Sequence, residues 1–316
     1  MPNGQTHSLM NPERNQTLTN IALQCKSLLG LNFDVLLQPL LEQYRKAIEN
    51  SQTDEAAQAA FSVTQTLFNQ QQFELQQQCS LFFIQDLNTQ KLSIYTGEIY
   101  RLLALNYTLS KQHEAAEKTY TEAFAHLTLA PTEDQRLKWK IFGSLWYNRA
   151  SPARSQESKE KLVVYTRNAL HFFEHLNDVD GMSLCLNRLA LLLPENQYTE
   201  KFELLRRILS INSGPKGNKK NITMARFNIG FCTYLSGEEN LGIAYMTEAI
   251  SLIEQYLTKR HVGMAHLQMA NAFLKHHKKV QAIDACQKAL QIFKNADIAL
   301  HIAEAQSMLQ KIESLP

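Results

Sequence analysis

The chain has 316 residues, of which 44% are hydrophobic and 20% are charged, with only 11 Gly and 8 Pro. β-Sandwiches, β-barrels and Rossmann-type sheets need both residues at their many tight turns, so this composition favours long helices. Lys and Arg number 32 against 30 Asp and Glu, a balance too even for a protein held to nucleic acid or to an anionic membrane by its overall field. The sequence therefore predicts an all-α fold and excludes disordered, collagen-like and disulfide-rich secreted chains.

The cysteines are dispersed singly along the chain, and no two form a C-x-x-C pair. They are Cys25, Cys79, Cys185, Cys232 and Cys286. This spacing excludes a zinc knuckle or a thioredoxin-type motif, and single cysteines in apolar helical surroundings are typically small buried side chains. The first residues show no basic stretch followed by an apolar one, the pattern of a signal peptide. No apolar run approaches the roughly 18 residues of a membrane-spanning helix. These features predict a protein of the cytoplasm, or alternatively of the nucleus, with no cofactor and no membrane association.

The N-terminal part divides into a tail and a helical segment. Residues 1–16 are polar and Asn-rich and contain two prolines, so we expect a disordered tail there. From Leu18 onward apolar residues recur at helical spacing, with Gly30 as a helix C-cap and Pro39 as a kink. We expect residues 17–88 to form this N-terminal helical segment.

An internal repeat occupies the rest of the chain. The small residue of each first helix falls at Ala104, Gly143, Ala190, Gly230 and Ala270, in steps of 39, 47, 40 and 40. The small or apolar residue of each second helix falls at Ala123, Ala169, Leu209, Ala249 and Ala289, in steps of 46, 40, 40 and 40. A polar insertion at 151–161 accounts for the long step. The period predicts five helical hairpins over residues 89–296 and a capping helix over 297–316. One period before Ala104 lies Thr64, so residues 17–88 hold either degenerate repeats or a separate interaction segment.

Two of these hairpins carry the residues of a known repeat family. Trp139, Phe142, Gly143 and Trp146 fall in the pattern W-x2-L-G-x2-Y, and Ala116, Tyr120 and Ala123 fall at the offsets A-x3-F-x2-A. The chain thus resembles the tetratricopeptide repeat (TPR), in a long-helix variant whose period exceeds the usual value of about 34. The resemblance implies a right-handed α-solenoid, in which Gly or Ala lets paired helices approach and larger residues fill the gap.

In TPR solenoids the first helices line a concave face, and the resemblance places a set of side chains on it. These are Arg101, Leu105, Lys140, Ser144, Tyr147, Asn148, Asn187, Phe227, Phe231, Tyr234, Leu267 and Asn271. Such a face is cationic toward its N-terminal end and aromatic in the middle, and its asparagine amides can bind a peptide backbone. The stripe formed by Phe227, Phe231 and Tyr234 fits packing against a neighbouring repeat equally well.

Three further motifs have simpler structural interpretations. His171-x-x-Glu174-His175 spells the H-x-x-E-H motif of zinc peptidases, but the sequence around it shows no third ligand, so we predict no metal site. The stretch KHHKK at 275–279 falls at an inter-helix turn, where we expect it to be solvated. The stretch SGPKGNKK at 213–220 lacks the spacing of a phosphate-binding loop. We expect a basic connector there, with contact to an acidic partner as the alternative.

These observations lead to one functional hypothesis and one alternative from another class. The hypothesis is a non-enzymatic scaffold or adaptor, a subunit of a larger complex, that holds an extended or helical segment of another protein in its concave groove. Nucleic acid and a small-molecule substrate are not expected as partners. The alternative is a ligand-switched regulator that binds a short signalling peptide, similar to the Rap-type TPR receptors. A metallopeptidase built on His171, Glu174 and His175 is a third, weaker hypothesis.

Overall fold

A computed structural model describes residues 12–88, 93–131, 134–151, 157–194, 196–214 and 217–315. Every regular element within these ranges is an α-helix, which confirms the expected all-α fold. In chain order the helices are α1 (Pro12–Leu29), α2 (Leu31–Leu36), α3 (Gln38–Glu49), α4 (Thr53–Asn69), α5 (Phe73–Leu87), α6 (Ile94–Leu109), α7 (His113–Leu129), α8 (Gln135–Arg149), α9 (Lys159–Leu176), α10 (Val179–Leu192), α11 (Tyr198–Ile211), α12 (Lys219–Leu235), α13 (Glu239–Tyr256), α14 (Lys259–Lys275), α15 (Lys279–Asn295) and α16 (Ala299–Glu313). None of the helices described here is both long enough and apolar enough to cross a membrane.

The helices belong to two compact units, residues 1–176 and 177–316. The first unit contains α1 to α9 and a core of buried side chains that extends from Leu18 to Leu145. The second contains α10 to α16 and a core that extends from Phe227 to Ile312. Within each unit consecutive helices pack against one another. Each unit therefore has a hydrophobic core of its own.

Each hairpin of the sequence repeat corresponds to two helices in contact. In the first unit α6 packs against α7, and α8 packs against α9. In the second unit the pairs are α10 with α11, α12 with α13, and α14 with α15. The last helix, α16, packs against α15, where Ala305 and Ile312 are fully buried and the Cys286 thiol donates to the Ala305 carbonyl at 3.3 Å. This helix thus covers apolar surface of the last pair.

Small residues of the repeat lie at the contacts between paired helices. A Cβ added at Gly143 of α8 would meet the Phe173 ring of α9 at 3.0 Å. One added at Gly230 of α12 would lie 2.7 Å from the backbone nitrogen of Met246 on α13. The alanines of the same series are buried as well. Close packing at these points explains why the small residue returns with every repeat.

The N-terminal helices differ in detail from expectation. Helix α1 begins at Pro12, so a helix covers the end of the stretch expected to be a disordered tail, while residues 1–11 lie outside the described residues. Proline is favoured in the first turn of a helix, where its missing N–H has no intrahelical acceptor. Gly30 ends α1 with a positive φ of 53°, as a C-cap does. Pro39 lies in the first turn of α3, and the expected kink is a break at Leu37 between α2 and α3.

The cysteines are buried free thiols, as the sequence predicted. Cys25 on α1 and Cys79 on α5 hydrogen-bond to each other, which lowers the pKa of Cys25. The same hydrogen bond, together with burial, raises the pKa of Cys79. This thiol pair connects two helices of the first unit.

Candidate functional site

In the first unit the predicted partner-binding residues lie on α6 and α8, which pack against each other. Arg101 and Leu105 on α6 are half-buried. The Arg101 guanidinium forms an ion pair with Glu98, with 2.7 Å between Nη2 and Oε2, so its charge is compensated within the same helix. Glu98 therefore partly neutralises the expected cationic end of the face.

The α8 side of this surface is more accessible. Lys140 is exposed, and Ser144, Tyr147 and Asn148 are half-buried. The Nδ2 atom of Asn148 is buried without a hydrogen-bond partner. Lys140 is thus the accessible cation of this set, and Asn148 has an unused donor.

In the second unit the aromatic stripe belongs largely to the core. Phe227 and Tyr234 are fully buried, Leu267 is 5% exposed, and Phe231 is half-buried. Helix α12 contacts α10, α11, α13 and α14, so side chains on several of its faces meet neighbours. Packing against a neighbouring repeat was one of the two interpretations of the stripe, and Phe227 and Tyr234 follow it. Leu267, predicted to line the groove, is buried as well, and Phe231 is the residue of the stripe that retains accessible surface.

An accessible surface does occur on α10. Leu184 and Leu191 are 44% and 49% exposed, and they flank the half-buried Asn187. From α12, the Asn228 amide donates to the Asn187 side-chain oxygen. Asn228 is 2% exposed, and its own Oδ1 has no partner. We call Leu184, Asn187, Leu191 and Asn228 the α10 face.

Sequence reasoning identified only part of this surface. It named Asn187, but it missed Asn228 and Leu184. The offset of 41 residues between the two asparagines, one repeat, was the available signal for Asn228. Asn271, the remaining predicted residue, is exposed on α14, which packs against α12.

The basic turn at 275–279 is bound to a neighbouring helix instead of being simply solvated. Glu239 at the start of α13 pairs with His276, with 2.8 Å between Nδ1 and Oε1, and also with Lys278. The hydrogen bonds from Lys278 and His276 lower the pKa of Glu239. The Tyr234 ring lies 4.6 Å from the His276 ring between centroids. The cluster thus joins two successive hairpins, so His276 and Lys278 have structural roles.

The H-x-x-E-H residues lie on α9 without a metal-binding set. The rings of His171 and His175 are 4.4 Å apart between centroids, and His175 packs against Trp139 at 5.8 Å. Within the part of the chain that the structure describes, no group of three or more His, Cys, Asp or Glu is arranged to hold a metal ion. The arrangement is that of an aromatic cluster between α8 and α9.

The chain matches no protein-family model and no curated protein. The resemblance to TPR proteins therefore depends on the motif residues and on the helix pairs described above.

Proposed function

We propose that the chain is a non-enzymatic scaffold of TPR-like hairpins, following a right-handed solenoid path, which holds an extended segment of a partner protein on its first helices. Free buried cysteines suit a reducing compartment, and we place this function in the cytoplasm. The chain acts as a subunit of a larger complex. The α10 face is the observation that carries the proposal.

The α10 face offers apolar and polar recognition side by side. Burial of an exposed leucine by a ligand gains about 1.5–3 kcal/mol at most, so Leu184 and Leu191 can serve as two anchor points. Between them the half-buried Asn187 accepts from the buried Asn228 amide through its side-chain oxygen, and its own NH2 group has no partner among the described residues, so it can donate to a peptide carbonyl. A peptide backbone carries donors and acceptors at every residue, so it matches a polar pair flanked by apolar side chains.

The test is selection of binding peptides from a random library, followed by calorimetry on variants. Leu191→Glu places a charge at an apolar anchor and should weaken binding of the selected peptide about tenfold or more. Asn187→Ala should weaken it as well. Leu241 on α13 is 42% exposed and lies outside the face, so Leu241→Glu is the matched control. If Leu191→Glu and Leu241→Glu weaken peptide binding equally, or if neither weakens it, the α10 face is not the binding site.

A further inference from the structure

A set of cations recurs with the repeat period in the second unit. Positions 180, 220 and 260 are one repeat apart and hold Asp180, Lys220 and Arg260. Lys219 and Lys259 precede the two cations. We call Lys219, Lys220, Lys259 and Arg260 the basic strip. Its members lie in the first turns of α12 and α14, two helices that pack against each other.

The first turns of α12 and α14 carry positive side chains, where helices usually carry negative ones. The N-terminal end of a helix carries partial positive charge and favours acidic side chains. Helix α10 follows this rule, since Asp178 caps it and Asp180 lies in its first turn. The first turns of α12 and α14 contain no acidic residue. Two adjacent helices therefore present like charges at the same end.

Two carboxylates, Asp180 and Glu304, lie near the strip, but they compensate its positive charge only in part. His261 follows Arg260, and its pKa is lowered by burial and then by the charges of Lys220 and Arg260. Among the described residues, neither Lys220 nor Lys259 forms an ion pair. The nearby Asp180 accepts hydrogen bonds from the Asn218 and Asn221 amides.

Two of the cations are held in place by neighbours. The Lys219 ammonium lies 4.6 Å from the centre of the Tyr256 ring. Arg260 donates from Nε to His301 Nε2 at 2.9 Å, and His301 bonds through Nδ1 to Glu304. Because the bond to His301 uses Nε, the two terminal nitrogens of the Arg260 guanidinium can donate hydrogen bonds to a negatively charged ligand. Fixed side chains lose less conformational freedom when an anion binds.

We propose that the basic strip binds an acidic segment of the partner protein, a short run containing Asp or Glu; this inference rests on the proposed function and specifies its partner. Neighbouring helix axes are about 10 Å apart. An extended segment in the polyproline II conformation rises about 3.1 Å per residue with three residues per turn, so side chains three positions apart lie on the same side, about 9 Å from each other. Carboxylates about three residues apart in the partner therefore match the cations of α12 and α14. The chain as a whole is nearly neutral, which favours a local acidic peptide over a long nucleic acid as the ligand.

The test uses the full chain and three fluorescent probes: a peptide with Glu at every third position, the same peptide with Gln, and a single-stranded oligonucleotide. The charge reversal Lys220→Glu/Arg260→Glu should weaken binding of the Glu peptide about tenfold or more. Raising the salt from about 0.05 to about 0.3 M should weaken it in the wild-type chain. The Gln peptide should not bind.

A matched double reversal, Lys294→Glu/Lys311→Glu, changes the net charge equally at exposed positions outside the strip. It should bind the Glu peptide as the wild type does. Arg260→Glu removes the hydrogen bond to His301, so the melting temperature of Lys220→Glu/Arg260→Glu is measured beside its binding. Lys220→Glu alone leaves that bond in place and should weaken binding of the Glu peptide in the same direction. Equal binding by the two double variants, or tighter binding of the oligonucleotide than of the Glu peptide, would overturn the inference.

The α10 variants separate this inference from the proposed function. Library peptides that require Leu191 but tolerate Lys220→Glu/Arg260→Glu would overturn the basic strip and leave the scaffold proposal standing. A Glu peptide that requires the strip and also weakens with Leu191→Glu supports both. If peptide binding is unchanged both by the α10-face variants and by Lys220→Glu/Arg260→Glu, the scaffold proposal is wrong.

Discussion

A buried carboxylate shows how single residues connect distant helices in the first unit. Asp86 on α5 is 9% exposed, accepts a hydrogen bond from the fully buried Tyr44 hydroxyl and forms an ion pair with Arg14. Burial, followed by the charge of Asp86, raises the pKa of Tyr44 well above its ordinary value. A buried charge requires such partners, because removing an ion from water is costly. The three residues thereby link α1, α3 and α5.

His126 makes the stability of the first unit depend on pH. Its side chain is 9% exposed, and its Nε2 lies 2.8 Å from the Ser93 carbonyl oxygen. Burial lowers the pKa of His126, and the Ser93 bond offsets this only in part. The folded state therefore favours neutral imidazole. The stabilising contribution is fully present above the unfolded pKa of about 6.5 and is lost as the pH falls from there through the lowered folded pKa.

We expect the free energy of unfolding of the first unit to decrease between about pH 7 and about pH 5, and His126→Gln to reduce this decrease. Urea denaturation at several pH values measures both. His261 and His266 also have pKa values lowered by burial and titrate in the same direction. The informative quantity is therefore the difference between wild type and variant. If that difference does not change with pH, His126 does not contribute.

Paired helices in the second unit approach closely through small residues. At Gly242 on α13, an added Cβ would lie 2.4 Å from the backbone nitrogen of Tyr234 on α12. Backbone atoms cannot move aside as a flexible side chain does. The small residue at this position is therefore set by the distance between the helices.

Gly242→Ala should destabilise the chain by about 1–3 kcal/mol, because the clash exceeds the gain of roughly 1 kcal/mol in helix propensity. Gly214 is the matched control, since a Cβ there would meet no atom within 4 Å. Gly214→Ala should leave stability nearly unchanged. The measurement is the urea midpoint for both variants, and equal midpoints would show that α12 and α13 separate at little cost.

The chain as a whole contains two compact units, each with its own core. A core within each unit allows cooperative unfolding of one unit without the other. We expect Gly242→Ala to reduce amide hydrogen-exchange protection in α12 to α15 and to leave α3 to α8 unchanged. Mass spectrometry of exchanged peptides distinguishes the units. A uniform loss of protection across both would show that they unfold together.

Helix content and the positions of the helix pairs were predictable from sequence because both depend on local spacing. The apolar positions recur with the helical period, and the small residue recurs about every 40 residues along the part of the chain that forms α6 to α16. The expected end of the N-terminal tail at residue 16 was too late, because Pro12 counted as a residue that prevents a helix. Proline is in fact favoured in the first turn of a helix, and α1 begins there.

The candidate sites were only partly predictable. The register named Asn187, yet it did not decide whether Phe227 and Tyr234 line the groove or pack in the core, where both are buried. Which side of a helix is covered depends on the neighbouring helices, and those neighbours are about one repeat away in sequence.

The sequence by itself therefore determined the all-helical class, the period and the approximate helix boundaries, since these follow from interactions between residues a few positions apart. The tertiary structure decided which polar groups meet. Asn228 with Asn187, Glu239 with Lys278, and Arg260 with His301 are each about one repeat apart. Only packing brings such pairs together, because the chain's own periodicity specifies the face of each helix but not what lies opposite it.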